Sequence, residues 1–289
     1  MLYLILSIIG SLSVGVLLKI IKKLPIDIYQ IIIINYISTV ALSSFIFKPN
    51  YTMVDSNFPY LLVIVLGLLL PSIFIFQYLS IKHTGIIKTD IAQRMSLFIP
   101  IMASIFLFKE NITMLRYISL FLGFIAVYFI LSKAEKDAAN INSKNILFLI
   151  LVFVGFGVID ILFKQMALYS VVPYTTTLSS VFILALLLSL LFYGIFCFVK
   201  KIKLNITKYT LLFGVIIGVL NFGNIYFYLN AHKAFAQNPT IVFAGMNYGV
   251  IVFGTLIGYF GFKEKLSKKN AIGLILAIIA IALLMYSLK

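Results

Sequence analysis

Ten continuous apolar runs dominate this chain and leave it little choice of fold. They cover about 2–20, 28–47, 60–81, 91–108, 117–132, 146–167, 174–199, 210–229, 241–262 and 271–288. Each is close to the roughly 20 residues a helix needs to cross the ~30 Å hydrocarbon core of a bilayer. In lipid, a backbone can satisfy its own polar groups only as a helix or a closed barrel. The runs are unbroken and do not alternate, which excludes a barrel. The expectation is an all-α integral membrane protein with ten transmembrane helices. The connections are short and leave no room for a soluble domain.

Composition agrees. Of 289 residues, 63% are hydrophobic and 11% charged, against roughly 45–50% and about 25% in soluble proteins. Disordered, collagen-like and disulfide-stapled classes are excluded. So is a soluble nucleic-acid binder, despite a net charge of +15. The run 2–18 has no basic region before it and no small-residue cleavage site after it, so it reads as a retained span. The one cysteine, Cys197, cannot form an internal disulfide and sits in an apolar run. There is no Trp, so the interfacial belts fall to residues such as Tyr3, Tyr51, Tyr60, Tyr209 and Tyr286.

The chain repeats itself. Phe108-Lys109-Glu110 is echoed by Phe262-Lys263-Glu264 at an offset of 154, with Ser119 and Gly273 following at equal distance. Gly10 and Lys19 correspond to Gly155 and Lys164 at an offset of 145, and Tyr78-Leu79 to Tyr228-Leu229 at 150. The order is kept, so two five-helix repeats are expected, 1–132 and 146–289. The polar segment 133–145, KAEKDAANINSKN, links them. Five is odd, so the second unit enters the membrane in the opposite sense. Inverted repeats of this kind are common in secondary carriers.

Five plus five short helices resemble the EamA type of the drug/metabolite transporter superfamily. So does an F-K-E corner before a Ser- or Gly-bearing terminal helix in each half. The resemblance covers essentially the whole chain. It implies a ten-helix basket around a central cavity that opens alternately to each side, and cargo such as amino acids, nucleotide-related metabolites, sugars or drugs. The first-helix pattern also resembles the small multidrug resistance proteins. However, Ser11 and Phe156 stand where those carry a coupling Glu, which argues against their proton/cation mechanism.

Polar groups facing lipid are costly, so those inside spans mark helix contacts or a cavity. A single Asn or Ser reads first as an interhelical hydrogen bond. The clustering of Gln93, Arg94, Asn224, Tyr228, Asn247 and Tyr248 on the fourth, eighth and ninth helices points to a substrate cavity. Asp160 and Lys164 are spaced i, i+4 and can face each other. They are either a neutralised structural pair or a coupling site. Arg94 either pairs with Asp90, read as a loop residue, or offers a bidentate clamp for carboxylate or phosphate. Pro71 and Pro100 each remove a helix hydrogen bond and permit a bend. Gly245-xxx-Gly249 and Gly254-xxx-Gly258 permit close helix contact. The fifth and tenth helices are nearly all apolar and read as peripheral or as a homodimer face.

Enzyme chemistry finds no support. His83 and His232 fall in loops or at helix ends with no second ligand at metal spacing. Glu110 and Glu264 read as members of interfacial Lys/Glu pairs. The expectation is a secondary transporter of the cell membrane, working by alternating access on a small polar metabolite, amino-acid-like or anionic. It needs no cofactor or metal, and its partners are that substrate and the bilayer, with no nucleic acid. The rivals are a flippase for a lipid or lipid head group, which needs a lateral apolar opening, and, less well supported, a membrane enzyme. Of 23 Lys and Arg, 17 fall in odd-numbered connections. The positive-inside rule puts those in the cytoplasm and both termini outside. The resemblance implies termini inside.

Overall fold

Backbone that has no water to bond must bond itself, and this chain does so in helices. The computed structural model describes residues 1–21, 27–55, 57–131, 143–169, 171–200, 206–263 and 266–288. The described residues form eleven α-helices: α1 (Leu2–Ile21), α2 (Ile28–Phe47), α3 (Tyr60–Thr84), α4 (Ile86–Met95), α5 (Phe98–Phe106), α6 (Met114–Leu131), α7 (Ser143–Leu168), α8 (Tyr174–Lys200), α9 (Lys208–Ala234), α10 (Pro239–Phe262) and α11 (Lys268–Tyr286). A single 3₁₀ turn, Tyr51–Met53, precedes α3, and there is no strand among the described residues. Eight of these helices, α2, α3 and α6 to α11, are long and apolar enough to cross a membrane. Their outer faces carry bare apolar side chains such as Phe45, Leu61, Phe121, Phe198 and Phe260. The chain is an all-helical, multi-pass membrane protein. Residues 133–142 of the linker, Glu264, and Lys201 and Lys203 lie outside the described residues.

Local chemistry sets several helix ends. Asp27 caps α2 by accepting from the Tyr29 N–H at 2.9 Å. Thr207 caps α9 through the Thr210 N–H. Ser267 and Asn270 form a reciprocal capping box at the start of α11. Such caps satisfy backbone donors that the helix itself cannot. Lys109 and Lys263, the middle residues of the two F-K-E corners, both turn through left-handed backbone, with φ of 52° and 54°.

The fourth apolar run is where expectation and structure part. It is two helices, α4 and α5, broken at Ser96-Leu97. Pro100 has no N–H to return to Ser96, so the Ser96 carbonyl accepts instead from the Ile99 N–H at 3.0 Å. The Ser96 hydroxyl donates back to the Gln93 carbonyl. Asp90 is helical, within α4, and not in a loop. By contrast α3 runs unbroken through Pro71.

Packing follows small residues. Helix α10 lies deepest, with Ile241, Val242, Phe243 and Ala244 fully buried, and touches α1, α5, α6, α9 and α11. Its row Gly245, Gly249 and Gly254 receives Leu4, Ile8 and Leu12 of α1. Helices α1 and α2 pack on α9, α3 packs on α7 and α8, and α2 on α8. The two nearly apolar helices, α6 and α11, pack along each other and keep exposed outer rows that include Phe121, Tyr128, Ile275 and Ile278. The Ser119 hydroxyl donates to the Ala280 carbonyl at 2.7 Å. Gly273 brings the α11 backbone against the Ala126 carbonyl and the Ile130 N–H.

Candidate functional site

The break between α4 and α5 sits beside charged and polar side chains contributed by α3, α4, α7 and α9. Gln93 and Arg94 lie in the last turn before it. Gln77 of α3 donates to Gln93 Oε1 at 2.9 Å. The Arg94 guanidinium is mostly buried, with Nε 3.6 Å from Asp90 Oδ1. That is too long for a hydrogen bond, and Nε has no hydrogen-bond partner. Helix α4 packs on α7, which carries Asp160. Asp160 in turn accepts from the Tyr228 hydroxyl of α9 at 2.9 Å. One cation, two carboxylates, two carboxamides and a phenol therefore converge where a helix is interrupted. Half-buried charges in a membrane bundle persist only with partners or a polar cavity.

Gln93, Arg94, Asp160 and Tyr228 are thus brought together. The other four sequence candidates go elsewhere. Lys164 is fully buried and turns away from Asp160. Its Nζ donates to the Ala236 carbonyl at 2.7 Å, with the His232 carbonyl at 3.5 Å. A cation there satisfies the orphan carbonyls at the end of α9. Asn224 accepts from the Ser7 hydroxyl at 2.8 Å and packs against Gly10, joining α9 to α1. Asn247 reaches only the Phe243 carbonyl of its own helix, at 3.5 Å. Tyr248 is fully buried, its ring seated on Gly123 and its hydroxyl donating to the Leu120 carbonyl at 3.2 Å.

A second buried polar group escaped sequence reading. Glu110 pairs with Arg116, not with Lys109: Arg116 Nη1 donates to Glu110 Oε1 at 2.8 Å. The other Glu110 oxygen accepts from the Thr240 N–H at 3.0 Å and from the Thr240 hydroxyl. That places a carboxylate on the N-terminal turn of α10, where the helix dipole favours it. Arg116 Nε donates to the Ser287 hydroxyl beyond α11 at 3.0 Å. No local signal marks this group, because its partners lie 130 and 171 residues apart in the chain. His232 is likewise buried, at the end of α9, its ring between Tyr228 and Phe243. Neither ring nitrogen has a hydrogen-bond partner. Among the described residues no three His, Cys, Asp or Glu side chains gather as metal ligands.

No protein-family model matches the chain. A protein of Haemophilus influenzae (strain ATCC 51907 / DSM 11121 / KW20 / Rd), described as uncharacterized, is 42% identical over 291 residues, covering 98% of this chain and 97% of the relative. A protein of known crystal structure superposes with a TM-score of 0.79, over 99% of this chain and 96% of its own, at 13% identity. At that identity the likeness is one of fold alone.

Proposed function

The chain belongs to one family with that Haemophilus influenzae protein, and we propose that it is a secondary transporter for a small polar metabolite, amino-acid-like or anionic, of the drug/metabolite transporter type, residing in the cell membrane. The observation that carries this reading is the interrupted α4–α5 helix with Arg94 at the break, packed on the helix α7 that carries Asp160 and its Tyr228 hydrogen bond. Discontinuous helices lining a polar site near the middle of a bundle are a recurrent carrier device. Gln93 and Arg94 would hold the anionic group of the substrate, Tyr228 would orient it, and Asp160 would couple binding to an ion. An Arg fork suits a planar carboxylate or phosphate.

A ten-span inverted repeat underlies this proposal, with α4 and α5 counted as one span. Reciprocal contacts support it. Ser119 touches Ala280, and Gly273 touches Ala126; an offset of 154 turns one contact into the other. The same relation takes α1 on α9 into α7 on α3, and α2 on α9 into α8 on α3. The matched left-handed Lys109 and Lys263 add to this. Alternating access then amounts to rocking these matched helix groups about the polar cluster.

The test is a thermal-shift screen of purified protein across amino acids, organic acids and phosphorylated metabolites. At least one should raise the melting temperature of the wild type, and Arg94→Ala should abolish the shift while melting normally unliganded. A shift that survives Arg94→Ala would remove Arg94 from the site. In proteoliposomes loaded with the responding compound, Asp160→Asn should lose dependence on an imposed proton or sodium gradient. Full retention of that dependence would move coupling elsewhere.

A further inference from the structure

A cavity of about 770 Å³ opens between the start of α3 and the end of α7, apart from the polar cluster. Its walls are Leu61, Leu62 and Val65 of α3, Leu162 and Leu168 of α7, and Phe108 from the first F-K-E corner. Leu61 and Leu168 at its mouth are exposed, and both flanking helices are long and apolar enough to span a membrane. Two such helices across a bilayer present this opening to lipid at one end of the span. Water holds an internal site only where several polar groups bond it, and this lining offers few. One is Gln165. Another, the Tyr169 hydroxyl, is already spent on the Asn57 carbonyl at 2.5 Å, tying the end of α7 to the segment before α3. Exposed Lys109 follows Phe108 at the same end of the bundle. Lys164, which lies 5.9 Å from the centre of the Phe108 ring, does not line the cavity.

We infer that this cavity is a lateral lipid site, seating one acyl chain of a resident phospholipid whose phosphate lies near Lys109. The volume is within the ~300–1,000 Å³ typical of sites for small molecules. An unfilled apolar gap of this size would forfeit dispersion contacts along both helices, and a flexible hydrocarbon chain restores them. A polar metabolite finds no charge in the lining to bind. The site stands independently of the transport reading, because none of its walls belongs to the Arg94–Asp160 cluster.

The absence of native tryptophan makes the test direct. Phe108→Trp sets the sole tryptophan in the cavity wall, excited selectively at wavelengths beyond the tyrosine cut-off. Phe198→Trp sets one on the outer face of α8, where Phe198 is 86% exposed. Each variant is reconstituted in bilayers of brominated-chain phosphatidylcholine, then extracted into bromine-free detergent and washed. The tryptophan of Phe108→Trp should stay quenched at least twofold, while that of Phe198→Trp regains full emission. Phosphate analysis of washed wild-type protein should find about one phospholipid per chain, lost in Leu162→Trp, which fills the cavity, and kept in Arg94→Ala. Equal recovery of emission in the two tryptophan variants would overturn the site. Retention of the phospholipid in Leu162→Trp would do so too. Release in Arg94→Ala would mean that the lipid reaches the polar cluster as cargo, which overturns the resident assignment.

Discussion

Buried polar side chains here differ in what answers them, and that difference predicts how each responds to substitution. Glu110 and Arg116 answer each other and two helix ends. Removing one member of a buried ion pair leaves an uncompensated charge, at a cost of about 3–5 kcal/mol. Arg116→Met should therefore lower the melting temperature steeply. The double variant Glu110→Gln/Arg116→Met should lose less than the two single losses combined, because no buried charge remains. Thermal denaturation of the four proteins in one detergent measures this; additive losses would mean that the pair is not energetically coupled. Tyr248 is a different case. Its ring occupies the space a side chain at position 123 would need, with Cζ only 2.0 Å from where a Cβ would stand. Gly123→Ala should destabilise by about 1–3 kcal/mol through overpacking, whereas Tyr248→Phe should cost about 1 kcal/mol for one hydrogen bond. The same melting experiment ranks them, and an unaltered Gly123→Ala melting temperature would show that the ring moves aside freely.

At the scale of elements, two features depend on one residue each. The α4–α5 break rests on Pro100. Pro100→Ala restores an N–H to the turn and allows a continuous helix. It should raise the melting temperature slightly and weaken the response to the substrate found by screening, since Gln93 and Arg94 would be re-aimed. A stronger substrate response in Pro100→Ala would contradict a functional break. The α6–α11 pair rests on Gly273, where an added Cβ would sit 2.8 Å from the Ile130 nitrogen and 2.9 Å from the Ala126 oxygen. Backbone cannot step aside as a flexible side-chain tip can. Gly273→Ala should thus destabilise more than Gly249→Ala, whose added methyl meets only the mobile end of Ile8. Comparing the two unfolding temperatures checks the order.

For the whole molecule, the open matter is which end faces the cytoplasm. Asn57, Glu110, Tyr169, Ala236, Thr240 and Ser287 are drawn to one end of the bundle by their contacts. The connections at that end are poor in Lys and Arg, while the opposite connections and the helix turns flanking them hold 16 of the 23, Arg94 being set apart because it lies inside α4. The positive-inside rule then puts the C-terminus outside. A phosphatase fused after Lys289 should be active and a fluorescent protein fused there dark. The reverse pattern would mean that the orientation implied by the family resemblance prevails over the charge bias.

Sequence by itself determined the solvent and hence the class: runs of about 20 apolar residues admit only helices across lipid, and the helices lie where the runs do. It also carried Gln93, Arg94, Asp160 and Tyr228, because a polar residue inside an apolar run is conspicuous. It could not distinguish these from Lys164, Asn224, Asn247 and Tyr248, which look alike in a string. Periodicity states which residues share a helix face, not which helix that face meets. Only the tertiary structure turned Lys164 toward the carbonyls at the end of α9, seated Tyr248 on Gly123, and joined Glu110 to Thr240 and Arg116 to Glu110 and Ser287. Those pairings span up to 171 residues. They exist because packed helices bring distant positions into hydrogen-bonding range, where a buried polar group must find a partner.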